Sequence, residues 1–408
     1  TVYDCGLTGF VWDAFDQVAA RLADQWPRFP RAARAVSADL LDYQRRVHAA
    51  QQQRPTPLAD ALAALADQHG GRGRAAPDAR EFAGRPHSYE LLNQYAAGQQ
   101  WRALALAAEA TIQATPIQSA SDEAAVLRLW TYRALALVRL AHAAAAMREL
   151  QAVEAATRGA SVYARFRARA PTVVWPFELR VLRAQLPGLA HGDWRRTCER
   201  VCALLRACER RAGDANAQRR FRLQMLLAGA VLRLRDAALA AALLARLDAA
   251  DDPRVLSACA RLHLQLGSLP HAELLFRRVE ACVPADDKLL LMNRAMYAVA
   301  AGKWAVARDL FARVASDPLG EPHVAAANNA AVCELFLGSP QRMLAQLQLL
   351  MADSPTAAGS AAELVFNYCT ALDLLHDGPA LLAEKSRKIA DVATWAGDGF
   401  DTSAFKMQ

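Results

Sequence analysis

Small and large apolar positions along the second half of the chain recur with a fixed beat. Ala260 and Ala272 are followed by Phe276, Val279 and a break at Pro284, and the same offsets return at Ala295, Ala307, Phe311, Val314 and Leu319, with Pro318 one place early. A third copy runs through Ala331, Met343, Leu347, Leu350 and Pro355, and a weaker one lies upstream at Ala228, Ala240, Leu244, Leu247 and Asp252, followed by Pro253. Steps of 12, 4, 3 and 5 at intervals of 32, 35 and 36 residues predict a repeated pair of antiparallel helices, joined by a tight turn at Gly267, Gly302 or Gly338. Two alanines 12 apart let the paired backbones approach, and Phe276 or Phe311 fills the gap to the next helix. Proline then ends the second helix because it lacks the donor that would continue it.

This is the tetratricopeptide pattern, whose unit is about 34 residues. It predicts an all-α fold, a right-handed α-solenoid of helix pairs. Four such repeats occupy residues 222–362, followed by a terminal helix pair over 363–396 and a tail over 397–408. An end helix must present a polar outer face, and Glu384, Lys385, Arg387 and Lys388 suit it. Upstream, 88–221 reads as irregular helix pairs, one of them turning at Gly98, and becomes Arg-rich from 158. Residues 69–87, spanning the run HGGRGRAAPDAREFAGRP, have the Gly, Pro and charge content of a mobile linker. Residues 1–68 read as an N-terminal helical segment with an amphipathic run from Ser37 to Gln53.

Composition agrees with helix nearly throughout, since Ala, Leu and Arg dominate and only 18 prolines and 20 glycines interrupt them. Arginines break every apolar stretch before it reaches the roughly 20 residues that span a bilayer. Eight cysteines without framework spacing point to a reducing compartment, with cytosol as the expectation. The chain starts at Thr1 with no signal-peptide pattern and reads as part of a longer protein. Its net charge of +7 is unevenly placed: Arg158 to Arg222 holds 15 arginines against five acids. That segment, with Arg165, Arg167 and Arg169 as its candidate binding residues, is either a set of solvated helix faces or a patch for an acidic protein or lipid headgroups.

Chemistry is sought without result. There is no HExxH, no Walker loop, no GxGxxG after a strand and no GxSxG. Cys198 and Cys202 share a helix face, but Cys208 points elsewhere, so the three do not make a tetrahedral site and read as structural thiols. An enzyme is not expected, nor a cofactor, a metal or a small-molecule substrate. Phe166, Trp175, Trp194 and Phe221 lie among the arginines, yet no nucleic-acid module is evident and none is expected. Protein binding remains. In the usual groove geometry Asn293, Asn328 and Asn329 lie at or beside the concave surface, or their amides bond neighbouring helices across the array. The places at which some such arrays grip a terminal carboxylate hold Met292 and Met296 in one repeat and Asn328 and Val332 in the next. Only Arg261 fits that grip, so a carboxylate clamp of that kind is not expected.

Particular stretches resemble subunit 12 of the TRAPP vesicle-tethering complex: VVWPFELRVLRAQLP, ARLHLQLGSLPHAELLFRRVE, AAANNAAVCELFLG, ELVFNYCTALDLL and the closing GDGFDTSAFKM. The first of these lies outside the repeat consensus and separates this family from other arrays. The resemblance covers roughly Ser88 to Gln408, with Met343 departing from the small residue of the packing position. It implies a non-catalytic scaffold subunit of the TRAPP form that activates Rab GTPases in early secretory traffic and autophagy. Its neighbours would be the large arm subunits, chiefly 11 and 8, on ER-Golgi intermediate and Golgi membranes. The competing expectation is an unrelated tetratricopeptide adaptor for another protein.

Overall fold

A computed structural model of the chain describes residues 61–69, 82, 86–116, 120–166, 175–210, 214–246, 253–316, 323–356 and 361–407, without the side chains of 120, 155–166, 214–215 and 244–245. The run Ser37 to Gln53 and most of the expected linker lie outside these residues. The described residues form α-helices and one 3-10 turn, with no strand among them. They divide into two compact units, one of Ala76–Arg235 and the other of Ala61–Ala75 with Asp236–Gln408. The upstream copy of the repeat is split by this division, Ala228 falling in one unit and Ala240 in the other, both fully buried.

The first unit holds α2 (Tyr89–Ala97), α3 (Trp101–Ala114), α4 (Ala120–Arg139), α5 (Ala143–Phe166), α6 (Phe177–His191), α7 (Trp194–Glu209) and α8 (Asp214–Arg233). Each packs on the next, and the contact of α3 with α4 is reinforced by a charged knot. Arg133 on α4, buried, donates to Glu109 on α3 at 2.7 Å and to Glu149 on α5 at 2.6 and 2.8 Å. One guanidinium thus ties three helices, and its forked donors suit that role better than an ammonium would.

The other unit holds α1 (Ala61–Gln68), α9 (Ala237–Ala245), α10 (Pro253–Gln265), α11 (Leu269–Cys282), α12 (Lys288–Ala300), α13 (Trp304–Ala315), α14 (Val324–Phe336), α15 (Pro340–Asp353), α16 (Ala362–Leu375) and α17 (Gly378–Trp395). From α10 to α16 every helix packs on its successor, and α10 also touches α12, the arrangement of a tetratricopeptide-type α-solenoid. Ala260, Ala272, Ala295, Ala307, Ala331 and Met343 are all buried, as are Phe276 and Phe311. Met343 fills the third packing position with its flexible side chain against Ala331, Leu347 and Val365 in one apolar cluster.

The hairpins end alike. In each, one residue is left-handed and the next amide reaches back to a carbonyl of the last helical turn, which satisfies backbone groups that the helix end leaves bare. Gly267, Gly302 and Gly338 take φ of 73°, 72° and 81°, followed by bonds from Ser268, Lys303 and Ser339 to the carbonyls of His263, Ala298 and Glu334. The turn expected at Gly98 has its left-handed residue one place later, at Gln99 with φ 53°, because the closing bond runs from Gln100 to Tyr95. Ala141, φ 61°, does the same between α4 and α5.

The C-terminal residues expected as a tail fold back instead. A 3-10 turn over Thr402–Phe405 packs on α16 and buries Phe405 completely. The terminal helix also differs from the expectation of a polar outer face at Lys385, which is buried, while α1 lies against α17.

Candidate functional site

On the first helices of the repeats, polar side chains bond α10 to α12 and α14 to α16. Asn293 on α12 is wholly buried, and its Oδ1 accepts from Ser257 Oγ at 2.7 Å and from Arg261 Nε at 3.0 Å, both on α10. Asn328 on α14 is buried, and its Oδ1 accepts from Asn367 Nδ2 on α16 at 3.0 Å. These amides therefore bond neighbouring helices. Asn329 is half-buried beside them. The sequence reading left out Ser257 and Asn367, although both stand on first helices close to one repeat length from their partners.

Arg261 is the exception among these side chains. It is half-buried, and among the described residues no carboxylate pairs with it. Burial alone holds its pKa below the ordinary guanidinium value. The Nδ2 of Asn293, next to it, is buried without a hydrogen-bond partner among the described residues. Met292, buried, and Met296, half-buried, stand on α12 on either side of Asn293 in sequence. A desolvated cation with unused donors beside soft apolar side chains can take a carboxylate offered by an apolar segment.

The Arg-rich segment resolves differently. Arg167 and Arg169 lie outside the described residues, and Arg165 is placed only by its backbone in α5. Of the others, Arg183 pairs with Glu154 and stands 5.7 Å from the Trp175 ring, and Arg222 pairs with Glu178 at 2.7 Å. Arg219 lies 4.9 Å over Phe177, and Arg233 lies 5.8 Å from Trp194. The WPFEL stretch is thus a hub that Arg183, Arg219 and Arg222, with Glu154 and Glu178, fasten to α5 and α8, while Arg233 ties α8 to Trp194 on α7. Burial, and then repulsion from Arg183 and Arg196, lowers the pKa of Arg200. Arg195, Arg196 and Arg206 remain exposed on α7, as does Arg210 at its C-cap.

Cys198 and Cys202 are half-buried and Cys208 is buried, all as free thiols, and no group of three or more metal-ligating side chains is found among the described residues. Among those residues, too, no helix is long and apolar enough to cross a membrane.

With this geometry in place, comparison with known proteins finds two curated relatives. The chain is 32% identical over 162 residues to trafficking protein particle complex subunit 12 of Mus musculus, and 31% identical over 162 residues to the Homo sapiens protein of that name. Each match takes in 38% of this chain, less than the stretch from Ser88 to Gln408, and spans about a fifth of the relatives, 20% and 21%. The relatives carry the name given by the resemblance of the WPFEL, NNAAVCELFLG and GDGFDTSAF stretches. No family model matches. Among solved structures, residues 1–338 of the assembly chaperone of RpL4 (Acl4) align at 13% identity and a TM-score of 0.31, over 76% of this chain and 99% of that one.

Proposed function

We propose that the chain is a non-catalytic scaffold subunit of a TRAPP-type tethering complex and acts through protein–protein contacts. The observation that carries this reading is the identity, over 162 residues, of nearly one residue in three with two proteins named subunit 12 of that complex. The helical array supports it, since stacked helix pairs present long surfaces to other proteins. On this reading the partners are the large arm subunits, chiefly 11 and 8. The complex activates Rab GTPases in early secretory traffic and autophagy, and the chain sits in the cytoplasm, peripheral on ER-Golgi intermediate and Golgi membranes. The row of first helices, where half-buried Arg261 and Asn329 stand beside the buried Asn293 and Asn328, is one contact surface, and the exposed arginines of α7 are a second.

Affinity purification of the tagged full chain from cells, with identification of stable partners, tests the assignment. Recovery of TRAPP subunits in fixed stoichiometry is expected, and the isolated chain should not accelerate nucleotide release from a Rab GTPase. Failure to recover any TRAPP subunit would leave the adaptor of a different partner, and exchange by the chain alone would overturn the non-catalytic reading.

A further inference from the structure

The end of the C-terminal unit is closed by a helix from far away in the chain. α1 packs against α17 and the 3-10 turn, although the residues from Ala76 to Arg235 that follow it belong to the other unit. Leu62 and Ala66 are buried in the same apolar cluster as Ile389, Val392, Ala393, Ala396 and Phe405, and Leu65 packs on it. His69 Nδ1 and Ser386 Oγ form a hydrogen bond of 3.2 Å across a separation of 317 residues. Nothing in the local chain direction puts α1 there; packing does.

Three properties of α1 mark it as a docked ligand rather than one more repeat. It has only eight residues, below the length at which a helix holds together alone in water, so its helicity depends on the surface beneath it. Its contacting residues follow the spacing i, i+3, i+4 of a one-faced helix, which is how amphipathic helices seat in grooves. Among the described helices its main packing partner is α17, from the other end of the chain, whereas each repeat helix from α10 to α16 packs on its neighbour in sequence. On the receiving side, α17 leaves Leu382 and Trp395 about half exposed, so the helix carries more apolar surface than α1 covers.

We propose that the face formed by α17 and the 3-10 turn is a helix-docking surface, and that its occupant is this chain's own segment 61–69, held as a releasable clasp. The clasp joins the N-terminal side of the chain to the end of the array. Tethering keeps the local concentration of α1 high, so a weakly held helix stays seated until it is displaced.

The test uses the full chain and a labelled peptide of residues 57–70 as the probe. In the double variant Leu62→Asp, Ala66→Asp the peptide should bind at least tenfold more tightly than in the parent, whose surface is already filled. A peptide carrying Leu62→Asp should not bind. If the variant forms dimers by light scattering, the peptide should return it to monomer. Equal peptide affinity for parent and variant, or dimers that the peptide leaves intact, would overturn the proposal. A second variant covers the case in which the first does not fold: His69→Cys with Ser386→Cys should oxidise to a disulfide within one chain and abolish peptide binding. Absence of that cross-link, with both single variants as controls, would likewise refute it.

Discussion

Lys385 Nζ lies 2.6 Å from Asp373 Oδ1, on a helix face that the sequence pattern assigns to solvent. The same ammonium donates to the carbonyl of Lys406 at 2.9 Å, and Lys406 returns its own ammonium to Asp373 Oδ2 at 3.1 Å. One aspartate on α16 therefore anchors α17 and the C-terminal segment together. Lys406 takes φ of 50° to close this loop, a left-handed conformation that a non-glycine residue adopts at a cost. Burial alone would raise the pKa of Asp373, but the hydrogen bonds and charges of the two lysines outweigh it and leave it depressed.

Asp373→Asn should accordingly destabilise the C-terminal unit by about 1–3 kcal/mol at neutral pH, less than a fully buried pair because Asp373 keeps some contact with water. A depressed carboxylate contributes stability that is complete above its unfolded pKa, about 4, and is lost as pH falls toward its folded value. Urea unfolding from pH 7 to pH 3 should show the gap between parent and variant closing only at the acid end. A gap independent of pH would mean that the lysines do not stabilise the carboxylate.

The turns make a second prediction of opposite signs. Ala141 and Gly302 stand at equivalent left-handed positions with φ of 61° and 72°, and an added Cβ at Gly302 would meet no atom within 4 Å. The difference between them is backbone strain alone. Ala141→Gly should stabilise by about 0.5–1 kcal/mol and Gly302→Ala should destabilise by about the same amount, measured by thermal melting.

Gly188 fails for another reason. A Cβ there would stand 2.4 Å from the Trp194 ring, which packs where α6 turns into α7. Gly188→Ala should cost about 1–3 kcal/mol by overpacking, and Trp194→Leu in the same chain should recover part of it. If the double variant melts no higher than Gly188→Ala alone, the ring is not the obstacle.

The fold was legible where local spacing and tertiary contact coincide. Ala260 with Ala272, and Ala295 with Ala307, lie 12 residues apart because a glycine turn brings them face to face, so periodicity reports packing directly. In the N-terminal unit Gln99 and Ala141 hold the left-handed positions of two turns where the usual glycine marker is missing, while Gly192 keeps it between α6 and α7. The contact of α1 with α17 leaves no local trace, since its information is a Leu-x-x-Leu-Ala pattern separated from its target by most of the chain. Along these first helices the sequence left two roles open for the asparagines. Their bonds to Ser257, Arg261 and Asn367 depend on which residues the stacking aligns, and Arg261 without a carboxylate could be recognised only after that alignment.

Glu123 supplies the last prediction. It stands in the first turn of α4, where the helix dipole favours a negative charge, yet it is buried and its pKa is pushed up to about 7 by that burial. A carboxyl group whose folded pKa exceeds its unfolded one contributes stability that is complete below the unfolded value, near 4.5, and is lost as pH rises through about 7. The N-terminal unit should therefore weaken between pH 5 and pH 8 through this group. Glu123→Gln keeps the shape and removes the titration, so relative to the parent the variant should gain stability across that interval. Urea midpoints followed by tryptophan fluorescence at both pH values give the comparison. A difference between parent and variant that is the same at pH 5 and pH 8 would show that Glu123 ionises as readily in the folded chain as in the unfolded one, and the burial argument would fail.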